Sequence, residues 1–394
     1  MYRFTEAELE RACIEWFEEL GYEYRFGPDI SPEGDYPERK SYSDVILDDR
    51  LKSALQRINR HVPSEALGEA LRKIKVPQSP SLLINNKEFQ RMITDGMDVN
   101  YRLKDGTIKY DKVWLFDFEC AENNDWLVVN QFTVVENRKE KRPDVVIFVN
   151  GLPLVVIELK SSSDESAGLS EGYNQLQTYK AAIPYLFTYN SFMVISDGIN
   201  ARAGTLTSKE ERFMMWRTID GQDIAPTSIP QLEVLIKGMF EKQRLLDIIK
   251  HFILFQTDGR EMVKILAGYH QYHAVNKAVN CTRRAASEDG DRKIGVIWHT
   301  QGSGKSLLMV FYTGKLVLSM DNPTIVVITD RNDLDDQLYT TFARSKSLLR
   351  QTPVQAESRS HLRELLTREA GGIIFTTIHK FAPEEKGDTV PELT

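Results

Sequence analysis

Residues 143–160 read PDVVIFVNGLPLVVIELK. Two apolar runs rich in Val and Ile, Asp144–Asn150 and Leu154–Lys160, predict paired strands joined by a tight turn at Gly151. Side chains alternate faces along a strand, so Glu158 and Lys160 point one way while Ile157 and Leu159 point into the core. With Val149 facing Pro153, the register sets Asp144 directly opposite Glu158. Two carboxylates and an amine then meet on one face, and a one-residue slip would scatter them.

That combination suits phosphate chemistry. The hard oxygens of Asp144 and Glu158 are candidate ligands for Mg²⁺, with the Leu159 carbonyl as a further ligand. Such an ion polarises a phosphodiester and lowers the pKa of a bound water. Lys160 would orient the nucleophile or stabilise charge on phosphorus. The alternative is a hairpin whose terminal charges are merely solvated. Against it, charge at the ends of strands packed with Val and Ile is costly unless paired or functional.

Working outward, a helix is predicted over residues 169–181, carrying Gln175 and Tyr179 on one face, and an apolar strand over Ser191–Ser196. Upstream, Thr5 caps a helix with the stripe Leu9, Cys13, Trp16, Phe17, Leu20, stopped by Gly21. A loop over 27–41, helices over 43–61 and 63–75, and several strands within 83–135 are expected next. With these surroundings the chain resembles the PD-(D/E)xK nuclease superfamily, in its branch with a following Q-x-x-x-Y motif. The resemblance implies that Asp144, Glu158 and Lys160 are catalytic and that Gln175 and Tyr179 support the site or contact DNA. It also implies a glutamate from the first helix, with Glu10 the choice and Glu6 the alternative. The basic run Arg138, Lys139, Lys141, Arg142 would neutralise DNA phosphates or form a solvated turn.

Past residue 293 the pattern alternates strand and helix: strand Lys293–Trp298, helix 305–319, strand Thr324–Thr329, helices 333–345 and 359–368, strand Gly372–Thr376. Such alternation predicts a parallel sheet with helices on both faces. Between the first strand and helix stands WHTQGSGKS, a phosphate-binding loop in form. Gly302, Ser303 and Gly304 would cradle ATP phosphates, Lys305 would reach the β- and γ-phosphates, and the Ser306 hydroxyl would bind Mg²⁺. Gln271, on a helix expected over 261–284, would read adenine or face solvent. Asp330-Arg331 and Thr376-Thr377 close strands where a translocase contacts nucleic-acid backbone. This half resembles the first RecA-like lobe of superfamily 2 helicases and translocases.

The expected fold is therefore α/β, a mixed-sheet nuclease domain (1–225), a helical linker (226–260) and a parallel P-loop lobe (261–394). The order of motifs resembles the restriction subunit of type I restriction–modification enzymes. That family implies double-stranded DNA as substrate, ATP-driven translocation, and methyltransferase and specificity subunits as partners. A Walker B strand and second lobe are expected after residue 377 and do not follow, so the chain reads as a truncated product with an incomplete motor. Two alternatives stay open: another nuclease–helicase fusion such as a single-chain restriction translocase, and a catalytically silent docking fragment. A net charge of −7 over 394 residues places any DNA contact in local basic patches. Three scattered cysteines and the lack of an apolar leader fit a cytoplasmic protein, and no run approaches the roughly 18 apolar residues of a membrane span.

Overall fold

A computed structural model describes residues 5–161, 165–259 and 261–381. The chain divides into two units, Met1–Ile253 and Leu254–Thr394. The last part of the expected P-loop lobe, 382–394, lies outside the described residues.

The first unit runs α1 (Glu6–Glu19), β1 (Glu23–Phe26), α2 (Asp48–Ile58), α3 (Ser64–Lys75), α4 (Leu82–Asp95), β2 (Met97–Arg102), β3 (Ile108–Val113) and β4 (Trp126–Asn130). It continues with β5 (Val134–Glu136), β6 (Lys139–Lys141), β7 (Val145–Val149), β8 (Leu152–Leu159), α5 (Glu165–Ala182) and α6 (Pro184–Thr188). Strands β9 (Phe192–Ser196) and β10 (Ala201–Gly204) and helices α7 (Gln231–Met239) and α8 (Lys242–His251) complete it. Six strands form one mixed sheet in the order β1-β4-β7-β8-β9-β10, parallel at β1/β4 and β8/β9 and antiparallel elsewhere. Every residue of β4, β7, β8 and β9 is buried, because both sheet faces are covered. This is why these strands read as continuous apolar runs. Each buried Val or Ile contributes about 1.5–3 kcal/mol, enough together to hold a charged residue such as Glu158 inside.

The β7–β8 turn differs from expectation in an informative way. The loop has two residues, Asn150 and Gly151, at φ 52° and 76°. Val149 therefore faces Leu152, and Phe148 faces Pro153. A register shift past Phe148 leaves Leu154 as the extra residue, and Ile147 then faces Val155 and Val145 faces Ile157. Continued one residue, this register sets Asp144 opposite Glu158. The expected juxtaposition forms, by a tighter turn followed by a bulge.

Three other expectations are corrected. Residues 82–95 fold as α4, not strands: its inward face carries Asn86 and Gln90, whose amides bond the Phe187, Thr188, Asn190 and Ile249 carbonyls and mask the apolar period. The segment expected as a linker supplies α7 and α8, packed into the first unit through Phe240, whose ring meets Phe17 edge-on at 5.0 Å. The helical character expected over 226–260 is interrupted at Phe240, and its tail enters a strand.

The second unit contains β11 (Ile253–Asp258, entering from the first), β12 (Glu261–Leu266), α9 (Tyr269–Ala285), α10 (Lys305–Ser319), β13 (Ile325–Thr329) and α11 (Asn332–Ala343). Then follow α12 (Lys346–Leu349), β14 (Val354–Gln355), α13 (Arg359–Leu366) and β15 (Ile373–Thr377). Residues 261–266, expected as helix, are a strand paired with β11, and the helix starts only after Gly268. The sheet is parallel, in the order β13-β15-β14. Tyr339 and Phe342 of α11 pack edge-on against Phe375 at its centre. The strand expected at Lys293–Trp298 does not form. Its residues pair with no strand among the described residues, and Val296 and Trp298 are 90% and 89% exposed. A run of β-branched residues becomes a strand only where a neighbouring edge accepts it.

Candidate active site

Helix α1 begins with Thr5, which accepts from the Glu8 backbone while Glu8 reaches back to the Thr5 amide. Rigid from its first turn, the helix presents Glu6 and Glu10 one turn apart. Glu10 reaches the end of β4, where Asn130 Nδ2 donates to Oε1 at 2.6 Å and Gln131 Nε2 to Oε2 at 2.5 Å. Glu6 stays exposed and accepts from the Ser161 amide at 3.4 Å. Both glutamates lie close enough to push the Asp144 carboxyl upward.

Asp144 and Glu158 close the two strands of the hairpin. Asp144 Oδ2 accepts the Leu159 amide at 2.8 Å. Continued two residues, the register sets Pro143 opposite Leu159, and Pro143 has no N–H to extend the ladder. Lys160 stays in line through its amide bond to Ser196, and its ammonium lies 2.7 Å from Glu158 Oε1.

Glu158 is 1% exposed, and its Oε2 has no hydrogen-bond partner among the described residues. Burial pushes its pKa up to about 7, aided by Asp144, while Lys160 pulls the other way. Burial likewise raises Asp144 to about 6, against the Leu159 amide and Lys160. The nearby Tyr179 hydroxyl gives its one proton to the Arg142 carbonyl at 3.2 Å. Burial, and then Glu158, hold that phenol well above its ordinary value, while Gln175 beside it draws it down. Cys13, buried beneath Glu10 and Asp144, is likewise held as the neutral thiol by burial.

Among the described residues no three acidic, histidine or cysteine side chains form a metal cage. The available donors are instead two carboxylates and a carbonyl. An unpartnered buried oxygen beside a second carboxylate is what a hard divalent cation would satisfy, so the residues fit Mg²⁺. Asn130 and Gln131 escaped the sequence reading. The signal was present, since two amides closing the apolar strand WLVVN-Q need partners when buried.

In the second unit, the loop before α10 places Gly302 and Gly304 at φ 81° and 78°, and Gly304 caps the helix that Lys305 and Ser306 open. Lys305 Nζ folds back onto the His299 and Thr300 carbonyls at 3.3 and 3.0 Å. Gln271 does not face solvent: it is 5% exposed, accepts the Gly268 amide at 2.9 Å and donates to the Gly304 carbonyl at 3.1 Å. One end of its amide thus caps α9 and the other holds the loop. The positive φ favours glycine at 304, and a Cβ there would lie 2.7 Å from Gln271 Nε2 and displace that amide. Thr376 and Thr377 are buried.

Residues 3–212 match the family described as type I restriction enzyme R protein N terminus. The chain belongs to this family. Residues 270–394 match the SWI2/SNF2 ATPase family. The type I restriction enzyme HindI endonuclease subunit of Haemophilus influenzae is 42% identical over 99% of this chain. A putative type I restriction enzyme MjaIXP endonuclease subunit of Methanocaldococcus jannaschii is 33% identical over 98% of it. The SauMW2ORF169P endonuclease subunit of Staphylococcus aureus is 28% identical over 77%. The chain spans 37%, 38% and 32% of the lengths of these relatives. The nuclease-type mixed sheet and the ATPase-like region agree with the fold expected from the sequence. No described helix is long and apolar enough to cross a membrane.

Proposed function

We propose that this chain carries the DNA-cutting centre and the nucleotide-binding loop of a type I restriction enzyme's endonuclease subunit. The observation that carries this reading is half-buried Asp144 beside buried Glu158, with Lys160 at 2.7 Å from Glu158 and one Glu158 oxygen unpartnered among the described residues. Asp144, Glu158 and the Leu159 carbonyl would hold Mg²⁺, which when bound draws charge from the scissile phosphate. Lys160 places its ammonium beside the same carboxylates, where it orients the attacking water and stabilises charge on the phosphoryl oxygens. Tyr179, braced by Gln175, keeps the Arg142–Pro143 backbone in place ahead of Asp144.

The exposed cations Arg138, Lys139 and Arg142 lead into Asp144 and suit the phosphates of duplex DNA. In the second unit, Gly302–Ser306 would cradle the phosphates of ATP, with Lys305 released from its carbonyl contacts and Ser306 on the accompanying Mg²⁺. In the full-length subunit, beside methyltransferase and specificity subunits, nucleotide hydrolysis would drive DNA translocation. The test is cleavage of supercoiled plasmid in MgCl₂ by the wild-type chain and Asp144→Ala. The reading expects nicked and linear products from the first alone. Equal products from both would remove the assignment, and none from either would favour a silent docking role.

A further inference from the structure

We propose that Asn130 and Gln131 are positioning residues of the nuclease centre, forming a two-amide clamp that fixes the Glu10 carboxylate beside Asp144. The inference rests on the nuclease reading and adds to it the residues that bring the N-terminal helix into register with the hairpin.

The clamp is built, not incidental. Each Glu10 oxygen accepts from a different amide, Oε1 from Asn130 and Oε2 from Gln131. The orientation of the Asn130 amide is set by a third group: the Tyr24 hydroxyl donates to its Oδ1 at 3.1 Å, which leaves Nδ2 for Glu10. Gln131 has a double attachment. Its backbone N–H donates to the Asp144 carbonyl at 2.9 Å while its side chain holds Glu10. One residue therefore ties the helix carboxylate to the backbone of Asp144.

That double reach requires a strained backbone. Gln131 has φ 54°, the left-handed region, where a side chain costs roughly 1–2 kcal/mol. Strain of this kind persists where the surroundings impose it and gathers at functional sites. The surroundings here are visible. Gly27 donates to the Asn130 carbonyl at 2.9 Å, and a Cβ at Gly27 would lie 2.5 Å from the Asn130 oxygen and 2.6 Å from that of Gln131. The β1 exit thus presses directly on the clamp.

Two neutral amides leave the Glu10 charge uncancelled while fixing where it points. A lysine or arginine there would neutralise it. A carboxylate so held can face the hydration shell of a divalent cation seated on Asp144 and Glu158.

The strain supplies a test that separates positioning from structure. Gln131→Gly removes the clamping amide and relieves the left-handed φ, so its melting temperature should equal or exceed wild type. Plasmid cleavage should nonetheless fall at least tenfold. In a DNA-free titration, the MnCl₂ concentration giving half of the metal-induced rise in melting temperature should increase at least threefold. Asn130→Asp, which sets a second carboxylate against Glu10, should shift both readouts the same way. Wild-type cleavage and wild-type metal midpoints in both variants would overturn the clamp. Asp144→Ala runs alongside: if it also cuts like wild type, the nuclease reading has failed, and if it alone is silent, only the clamp has.

Discussion

Glu158→Gln should make the metal-free protein more stable. Glu158 is 1% exposed with one oxygen unpartnered among the described residues, and burial pushes its pKa up to about 7. Below pH 4.5, its ordinary value, the carboxyl is protonated in both folded and unfolded chains, and the folded state bears no penalty. As pH rises toward 7 the unfolded chain ionises first, so stability falls, reaching its full deficit once the folded carboxyl ionises as well. A rise of this size corresponds to roughly 3 kcal/mol. Gln keeps the shape and removes the charge, while Lys160 loses its partner, so the net gain expected above pH 7.5 is about 1–3 kcal/mol. For a unit of this size that raises the melting temperature by about 3–8 °C. Thermal unfolding in EDTA at pH 5 and pH 8 measures it. The gain should be full at pH 8 and fall to about a quarter of that at pH 5, and MgCl₂ at pH 8 should stabilise wild type but not the variant. An identical difference at both pH values would refute the reasoning.

Lys160→Ala should lower plasmid cleavage by about 10²–10³, with the residual activity measured at saturating MgCl₂. It should also destabilise the metal-free chain more at pH 8 than at pH 6, because Glu158 escapes by protonation at the lower pH. Gly151→Ala should cost at least about 2 kcal/mol, since its Cβ would sit 2.4 Å from the Leu47 carbonyl at φ 76°, and denaturant unfolding will read it. Gln271→Ala removes the hydrogen bond from α9 to the glycine loop together with the one that caps α9, and fluorescent ATP-analogue titration should find affinity about tenfold weaker.

The parts legible in the sequence were those whose periodicity reports burial directly. Strands β7, β8 and β9 sit between covered faces, so their Val and Ile runs announced them. The capped start of α1 was equally plain. What escaped involved partners distant in the chain. Helix α4 hides its inward face behind Asn86 and Gln90, whose carbonyl partners lie more than a hundred residues away. The apolar run 293–298 looks like a strand because local composition says nothing about whether an edge receives it. The site divides the same way. Asp144, Glu158 and Lys160 stand within 17 residues and are readable from one hairpin's register. The amides on Glu10 come 120 and 121 residues after it, and only the fold brings them there.

The extra residue at Leu154 has one more consequence. It divides the hairpin into a tip and a base that keep different phase, so the tip obeys the needs of a two-residue turn and the base those of the acids. Substitutions in the turn can be absorbed at the bulge before they reach the end that carries Asp144 and Glu158. Deleting Leu154 would make the Phe148–Pro153 and Ile147–Val155 pairs consecutive and leave Asp144 opposite Glu158, so the shortened chain should keep the juxtaposition and lose only the buffer.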